Sequence, residues 1–172
     1  MTDQSPEPIK KVSLICAHGG LDEVYPALIM ANGARMEGIE ASIFFTFFGL
    51  NAIMKKMVRN LKVATVGNPS LNLAMPMMKM PITAPFPSLL GAIPGVSAMA
   101  TGMMKNEMEN LDIPEVDEFL EMIADAGGHL YACKLAMDMF KLTQDDLVPQ
   151  VEAVLTVGQF YEKAAGSQII FT

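Results

Sequence analysis

Two cysteines are the side chains of this sequence best suited to covalent chemistry. Cys133 ends the apolar run 129–133 and directly precedes the helix-like segment 135–140. A thiol between a strand and a helix lies near free backbone N–H groups, which favour the thiolate, and Lys134 adds a neighbouring positive charge. Cys133 is therefore the predicted nucleophile. The alternative is an inert buried cysteine, which is common in folded proteins.

The remaining candidates are less specific. Cys16, near the end of the first apolar run, is a candidate second thiol, although a core position explains it more simply. The loop after it contains His18, Gly19 and Gly20, and backbone amides of such a loop can bind an anion. Asp138 is a candidate site-lining carboxylate one turn into the later helix, but a carboxylate beside a thiolate opposes its ionisation.

Several other kinds of site are excluded by the sequence pattern. There is no CxxC motif, and His18 and His129 lack zinc-ligand spacing, so no metal is expected. Neither GxGxxG nor GxxxxGKS occurs, which argues against the common nucleotide loops. The formal net charge is −7 and no basic run is present, so nucleic acid is not an expected partner. No metal or organic cofactor is predicted.

The segments that would position these groups alternate between strands and helices. Strands are predicted at 11–17, 39–47, 63–66, 129–133, 151–157 and 168–171, and helices at 23–37, 50–60, 115–126, 135–140 and 158–165. Such crossovers imply a three-layer α/β/α fold with a mostly parallel sheet of five to six strands. Functional groups gather at the carboxyl ends of such strands, where both cysteines are expected.

The 172 residues are interpreted as a flexible tail at 1–9 and a single domain at 10–172. The tail lacks a secretory signal pattern, so a cytoplasmic protein is expected.

An insertion at 68–105 contains six prolines and seven methionines. It has too many prolines for one continuous helix, and none of its apolar stretches is long enough to span a bilayer. It is interpreted as an irregular flap or subunit contact, with a membrane-surface or partner-docking element as the alternative. Regular structure is expected to resume at Ile113.

Two stretches of the chain are similar to a known family. The opening KVSLICAHGGLDEVYPALIMANGARMEGIEASIFFTFFGL and the later YACKLAMDMF resemble the DsrE/DsrF-like family, in particular its longer-chain, peroxiredoxin-like branch of sulfurtransferases. Members of that branch have a glycine-containing loop with Leu-Asp, then Tyr-Pro at the head of a long helix, and an aromatic second strand. The resemblance covers nearly all of residues 10–172.

The resemblance implies a three-layer α/β fold, a homo-oligomer and a role in cytosolic sulfur trafficking. Cys133 matches the cysteine of that branch, which implies a persulfide-type sulfurtransferase or sulfur carrier that passes sulfane sulfur to a partner thiol. The implied partners are TusA-like sulfur carriers or rhodanese-like proteins. The alternative is a non-catalytic oligomeric scaffold that docks a sulfur carrier or membrane surface through residues 68–105. A thiol peroxidase ranks lower, because the sequence lacks a proline- and threonine-flanked peroxidatic cysteine.

Overall fold

The computed structural model describes residues 7–64 and 95–172. Within these ranges the elements are β1 (Lys11–Cys16), α1 (Leu21–Met36), β2 (Glu40–Phe45), a 3-10 helix (Phe47–Ile53), α2 (Val96–Asn110), α3 (Val116–Asp125), β3 (His129–Cys133), α4 (Lys134–Phe140), a 3-10 turn (Gln144–Asp146), β4 (Ala153–Leu155), α5 (Val157–Lys163) and β5 (Gln168–Phe171). Among the described helices, none is long and apolar enough to cross a membrane.

The strands form one five-stranded sheet in the order β4-β3-β2-β1-β5, and every pairing is parallel. This confirms the predicted α/β class and parallel sheet. From β1 to β4 the chain moves steadily in one direction across the sheet, so right-handed crossovers place α1, α3 and α4 on one face. The return from β4 to β5 reverses direction and places α5 on the opposite face.

The α5 face of the sheet is defined by its aromatic contacts. Phe160 of α5 stacks on Phe44 of β2 with ring centroids 4.5 Å apart. The ammonium of Lys163 lies 5.8 Å from the ring centroid of Tyr131, which pairs with Phe44 in the β2–β3 register. Phe44, Tyr131 and the residues level with them therefore face α5, and their neighbours along each strand face the other helices.

Contacts between residues divide the chain into two compact units. The first comprises Met1–Gly19, Glu23–Asn60 and Glu115–Thr172, and its described part contains the whole sheet. The second comprises Gly20–Asp22 and Leu61–Pro114 and contains α2.

Side-chain hydroxyls stabilise the second unit. The hydroxyl of Thr101 accepts the N–H of Val63 at 3.0 Å, and that of Ser97 donates to the Val63 carbonyl at 3.3 Å. These bonds fix α2 against the segment that precedes residue 65, because they satisfy both main-chain groups of one buried residue.

The structure differs from the sequence-based assignment in three places. Val63 and Ala64, the described part of the strand predicted at 63–66, are not in a strand. The predicted helix at 50–60 is a 3-10 helix, Phe47–Ile53, followed by turns. Regular structure resumes well before Ile113, because α2 begins at Val96 within the predicted insertion. The physical reason is local. Proline is absent from 95–113, and the methionine, alanine, lysine and glutamate residues there favour a helix. Residues 1–6 of the predicted tail, 65–66 of a predicted strand and 68–94 of the insertion lie outside the described residues.

Candidate functional site

The carboxyl edge of the sheet contains both cysteines. Cys16 is the last residue of β1 and Cys133 the last residue of β3, and all five strands run in the same direction. Both are free thiols and both are buried. The predicted placement of the two side chains at this edge follows from the parallel topology, in which every strand ends on the same side.

Cys133 forms a direct junction between strand and helix. It is extended (φ −75°, ψ 117°) and is also the N-cap residue of α4, so the chain passes from β3 into α4 without a loop. Its side chain makes no capping hydrogen bond to α4, and the residue is only 4% exposed. Cys133 therefore lies at the start of α4, and its side chain is nearly covered by its surroundings.

The two charged residues after Cys133 pair with each other. The Lys134 ammonium donates to both carboxylate oxygens of Asp138, at 3.0 and 3.1 Å, and both side chains are exposed. The predicted positive neighbour of Cys133 is therefore part of a solvated ion pair one helical turn long. Such a pair contributes little net field at a nearby buried atom, because its two charges are screened and opposite.

Cys16 lies in a more strongly desolvated position. Its sulfur is fully buried and donates to the His18 carbonyl oxygen at 3.7 Å. Burial raises the pKa of Cys16 to about 12; the Thr172 side chain opposes this shift and the Glu23 carboxylate adds to it. The Cys16 thiol is therefore protonated at neutral pH and is a poor nucleophile.

The glycine-containing loop is shaped by close packing against the loop after β2. A Cβ atom on Gly19 would lie 2.4 Å from the Phe48 carbonyl oxygen, and one on Gly49 would lie 2.1 Å from the Cys16 carbonyl oxygen. The Gly49 N–H donates to the Ala17 carbonyl at 3.1 Å. Both glycines are thus required because two backbones approach each other closely.

Fewer backbone N–H groups of this loop are available to bind an anion than the sequence indicates. The Ala17 N–H donates to the Thr172 carbonyl at 3.2 Å. In the second unit, Leu21, which follows Gly20 and begins α1, donates its N–H to the Lys62 carbonyl at 2.9 Å. His18 is exposed. Anion binding by His18, Gly19 and Gly20 stays a prediction.

Cys16 and Cys133 are separated by a strand and by the sheet itself. Cys16 is level with Phe45, and Phe45 is level with Ala132, so these three side chains point to one face. Cys133 is the next residue along β3 and points to the other face, the one covered by α5. Two interstrand spacings place the Cα atoms about 10 Å apart. A disulfide requires less than about 7 Å, so the two thiols do not form one in this structure.

Exposed apolar side chains surround this edge, and the sequence reasoning did not identify them. The apolar rim, as we call it, consists of Phe47, Phe48, Leu135, Met139 and Phe140, all exposed. Its two segments touch, since the rings of Phe48 and Phe140 lie 5.7 Å apart. The available signal was the helical spacing of Leu135 and Met139 opposite the buried Ala136 and Met137.

The described residues contain no group of three or more histidine, cysteine, aspartate or glutamate side chains that could hold a metal ion. His129 begins β3, at the opposite end from Cys133, and its Nδ1 lies 2.6 Å from a Glu152 carboxylate oxygen. A Cys133–His129 dyad is excluded, because the two residues are four positions apart on an extended strand, a distance of about 13 Å.

Comparison with known proteins agrees with this arrangement of strands and helices. The sequence model of the DsrE/DsrF/DrsH-like family matches residues 8–171. The chain belongs to this family. Sulfur carrier protein DsrE2 of Allochromatium vinosum is 35% identical to it over 160 residues, which are 93% of this chain and 96% of that protein. The uncharacterised protein YrkE of Bacillus subtilis is 26% identical over 171 residues, 99% of each chain.

Two solved structures resemble this DsrE/DsrF/DrsH-like chain. Protein MTH1491 of Methanobacterium thermoautotrophicum, of unknown function, superimposes with a TM-score of 0.53 at 12% identity, covering 94% of this chain and 98% of that one. The ychN protein of E. coli gives a TM-score of 0.56 at 10% identity, covering 95% and 100%. These similarities establish a shared fold.

Proposed function

We propose that this protein is a sulfur-trafficking protein that holds sulfane sulfur on Cys133 as a persulfide and passes it to a partner thiol. The observation that carries the proposal is the contrast between its two thiols. Cys133 is at a strand–helix junction on the carboxyl edge, whereas burial keeps Cys16 protonated. Family membership, and the relative named as a sulfur carrier, support the same chemistry.

The proposed reaction consists of two sulfur transfers without net oxidation. The Cys133 thiol first loses its proton to solvent, and the thiolate attacks the outer sulfur of a donor persulfide. The S–S bond of the donor breaks, the donor leaves as a thiolate, and Cys133 becomes a persulfide. An acceptor thiolate then attacks the outer sulfur, forms its own persulfide and releases the Cys133 thiolate. This chemistry requires no metal or organic cofactor.

The burial of Cys133 sets a condition on both steps. A small donor such as a polysulfide can reach a thiol that is 4% exposed through a modest side-chain movement. A thiol carried by another protein needs a larger opening at the carboxyl edge. The apolar rim is the surface on which such a protein would dock, because exposed apolar patches of this kind are typical of interaction sites.

The proposed partners are a TusA-like sulfur carrier or a rhodanese-like protein, together with further copies of this chain. The proposed location is the cytoplasm, where thiols stay reduced and persulfide exchange is possible. In this scheme the Lys134–Asp138 pair stays solvated and borders the rim, and Cys16 has a structural role.

One observation favours a second function, that of a non-catalytic oligomeric scaffold. Both thiols are buried, and buried cysteines are commonly inert. The scaffold would dock a sulfur carrier or a membrane surface, and both cysteines would be structural. The segment assigned to that docking, 68–105, lies largely outside the described residues.

Intact-mass measurement after incubation with a polysulfide separates the two functions. The parent and Cys16→Ser proteins are expected to gain the mass of added sulfur, and Cys133→Ser is expected to gain none. An adduct that survives loss of Cys133 contradicts the assignment of the sulfur-bearing residue. No adduct on a correctly folded parent protein, with either polysulfide or thiosulfate as the donor, favours the scaffold.

A further inference from the structure

The outer edge of β5 carries main-chain groups without partners among the described residues. Within residues 7–64 and 95–172, β5 pairs only with β1 and is the last strand of the sheet. Thr172 directs both its main-chain groups toward β1, since its N–H donates to the Ile15 carbonyl and its C=O accepts the Ala17 N–H. Main-chain groups alternate in direction along a strand, so those of Ile169 and Phe171 point away from the sheet.

The same two residues expose apolar side chains. Ile169 is 48% exposed and Phe171 is 66% exposed. Their register with Ser13 and Ile15 places both on the α5 face. The aromatic contacts of α5 reach β2 and β3, and Ile15 is itself only half-buried. Hydrogen-bonding groups and exposed apolar surface therefore coincide at one edge of the sheet.

β5 lacks two of the features that normally keep edge strands apart, namely charged side chains and proline. Natural edge strands are protected by lysine or other charges, by proline or by bulges. The segment 166–172, GSQIIFT, contains no charged residue and no proline. The whole chain carries a formal net charge of −7, so two copies have a net electrostatic repulsion. At β5 they can meet without placing like charges opposite each other.

We propose that β5 pairs with β5 of a second copy, in antiparallel orientation about a twofold axis at Ile170. In this register Ile169 of one copy lies opposite Phe171 of the other, and each such pair exchanges both of its N–H···O=C bonds. The two five-stranded sheets become one continuous sheet. The four exposed side chains form a single apolar cluster on the α5 face, and the contact is isologous.

This inference rests on the homo-oligomer in the proposed function and not on its sulfur chemistry. Two strands, β2 and β1, separate β3 with Cys133 from β5. Breaking the contact should therefore leave sulfur loading on Cys133 unchanged, and the two proposals fail separately. A chain that takes up sulfur as a monomer contradicts the dimer only, whereas a dimer without an adduct contradicts the persulfide role only.

Sedimentation velocity over a range of protein concentrations tests the contact. The double variant Ile169→Lys/Phe171→Lys puts two positive charges directly opposite each other in the proposed register. It should weaken the dimer by at least about tenfold. The control Ile29→Lys/Met36→Lys changes residues of α1 that are 52% and 79% exposed and should leave assembly unchanged. A monomeric parent overturns the proposal, and so does a dimer that the β5 variant leaves intact while its circular dichroism is native.

Cross-linking tests the register independently. On the twofold axis, the two Ile170 residues form a non-hydrogen-bonded pair with Cα atoms about 4.5 Å apart, close enough for a disulfide. The two Gln168 residues would lie about 14 Å apart along the strands. Mild oxidation should therefore join two Ile170→Cys chains and not two Gln168→Cys chains. Preferential cross-linking at position 168, or at neither, overturns the proposed register.

Discussion

Cys16 and Cys133 end two strands of the same parallel sheet and point to opposite faces of it. The register through Phe45 and Ala132 establishes this relationship, with β2 lying between the two cysteine-bearing strands. A resolving thiol must approach a reactive one, and this geometry keeps the two apart. The folded protein therefore keeps its two thiols from reacting with each other.

This separation predicts that no intramolecular disulfide forms in the folded protein. Treatment with a mild oxidant should leave both cysteines unlinked, because their Cα atoms are about 10 Å apart and their side chains diverge. Mass analysis of peptides from the non-reduced native protein tests this. A Cys16–Cys133 peptide pair formed under native conditions, without loss of the folded circular-dichroism spectrum, is inconsistent with the register described here.

The raised pKa of Cys16 predicts a loss of stability at alkaline pH. The thiol ionises near its ordinary value of 9.0 in the unfolded chain and at about 12 in the folded protein. Its stabilising contribution is thus complete below pH 9 and is lost as the pH rises from 9 towards 12. The shift corresponds to about 4 kcal/mol over that range, because one pH unit is worth about 1.4 kcal/mol.

Urea unfolding at a series of pH values measures this contribution. Above pH 9 the unfolding free energy of the parent should fall more steeply than that of Cys16→Ser, because serine at position 16 does not titrate in this range. The tyrosines with raised pKa values, Tyr25 and Tyr131, are present in both proteins and cancel in the comparison. Equal slopes would show that Cys16 is not held neutral by burial.

Replacement of Gly49 by alanine should destabilise the carboxyl edge. The added Cβ would lie 2.1 Å from the Cys16 carbonyl oxygen, a backbone atom that cannot move away cheaply. We expect a cost of about 1–3 kcal/mol, the usual cost of overpacking. Gly158→Ala in α5 is the matched control, since nothing lies within 4 Å of its added Cβ. Thermal unfolding of both variants tests the contrast, and equal melting temperatures would contradict it.

The apolar rim predicts that a charge placed on it slows sulfur transfer to a protein acceptor but not sulfur uptake from a small donor. Leu135→Glu places a charge on the rim at a side chain that is 69% exposed. Sulfur uptake from polysulfide should be unchanged, whereas transfer to a TusA-like carrier should slow by about tenfold, a typical effect of losing an interface anchor. Met122→Glu on α3, also exposed, is the control. If both variants transfer sulfur to the carrier at the parent rate, the rim is not the docking surface.

Many of the strands and helices could be predicted from the sequence, because the residues that begin and end them are local in the chain. The boundaries of β3 and β5 were predicted residue for residue, since glycine pairs and polar turns flank short apolar runs. The 3-10 helix Phe47–Ile53 was mistaken for the end of a strand and the start of a helix. Its geometry depends on the approach of Gly49 to the Cys16 carbonyl, a contact between segments distant in sequence.

The site was predictable in position but not in orientation. The order of elements placed Cys16 and Cys133 at one edge, as parallel topology requires. Which face each thiol occupies depends on the strand register, where a shift of one residue reverses the face. The strong desolvation of Cys16 likewise depends on its neighbours in space, among them Thr172 at the other end of the chain.

Loading and discharge of a single thiol test the central claim most directly. The protein is incubated with polysulfide, freed of excess reagent, and mapped at the peptide level before and after addition of an acceptor thiol. The account predicts one extra sulfur atom on the peptide containing Cys133, none on that containing Cys16, and its appearance on the acceptor as the protein returns to its original mass. Sulfur bound at Cys16, or sulfur on Cys133 that no acceptor thiol removes, would contradict it.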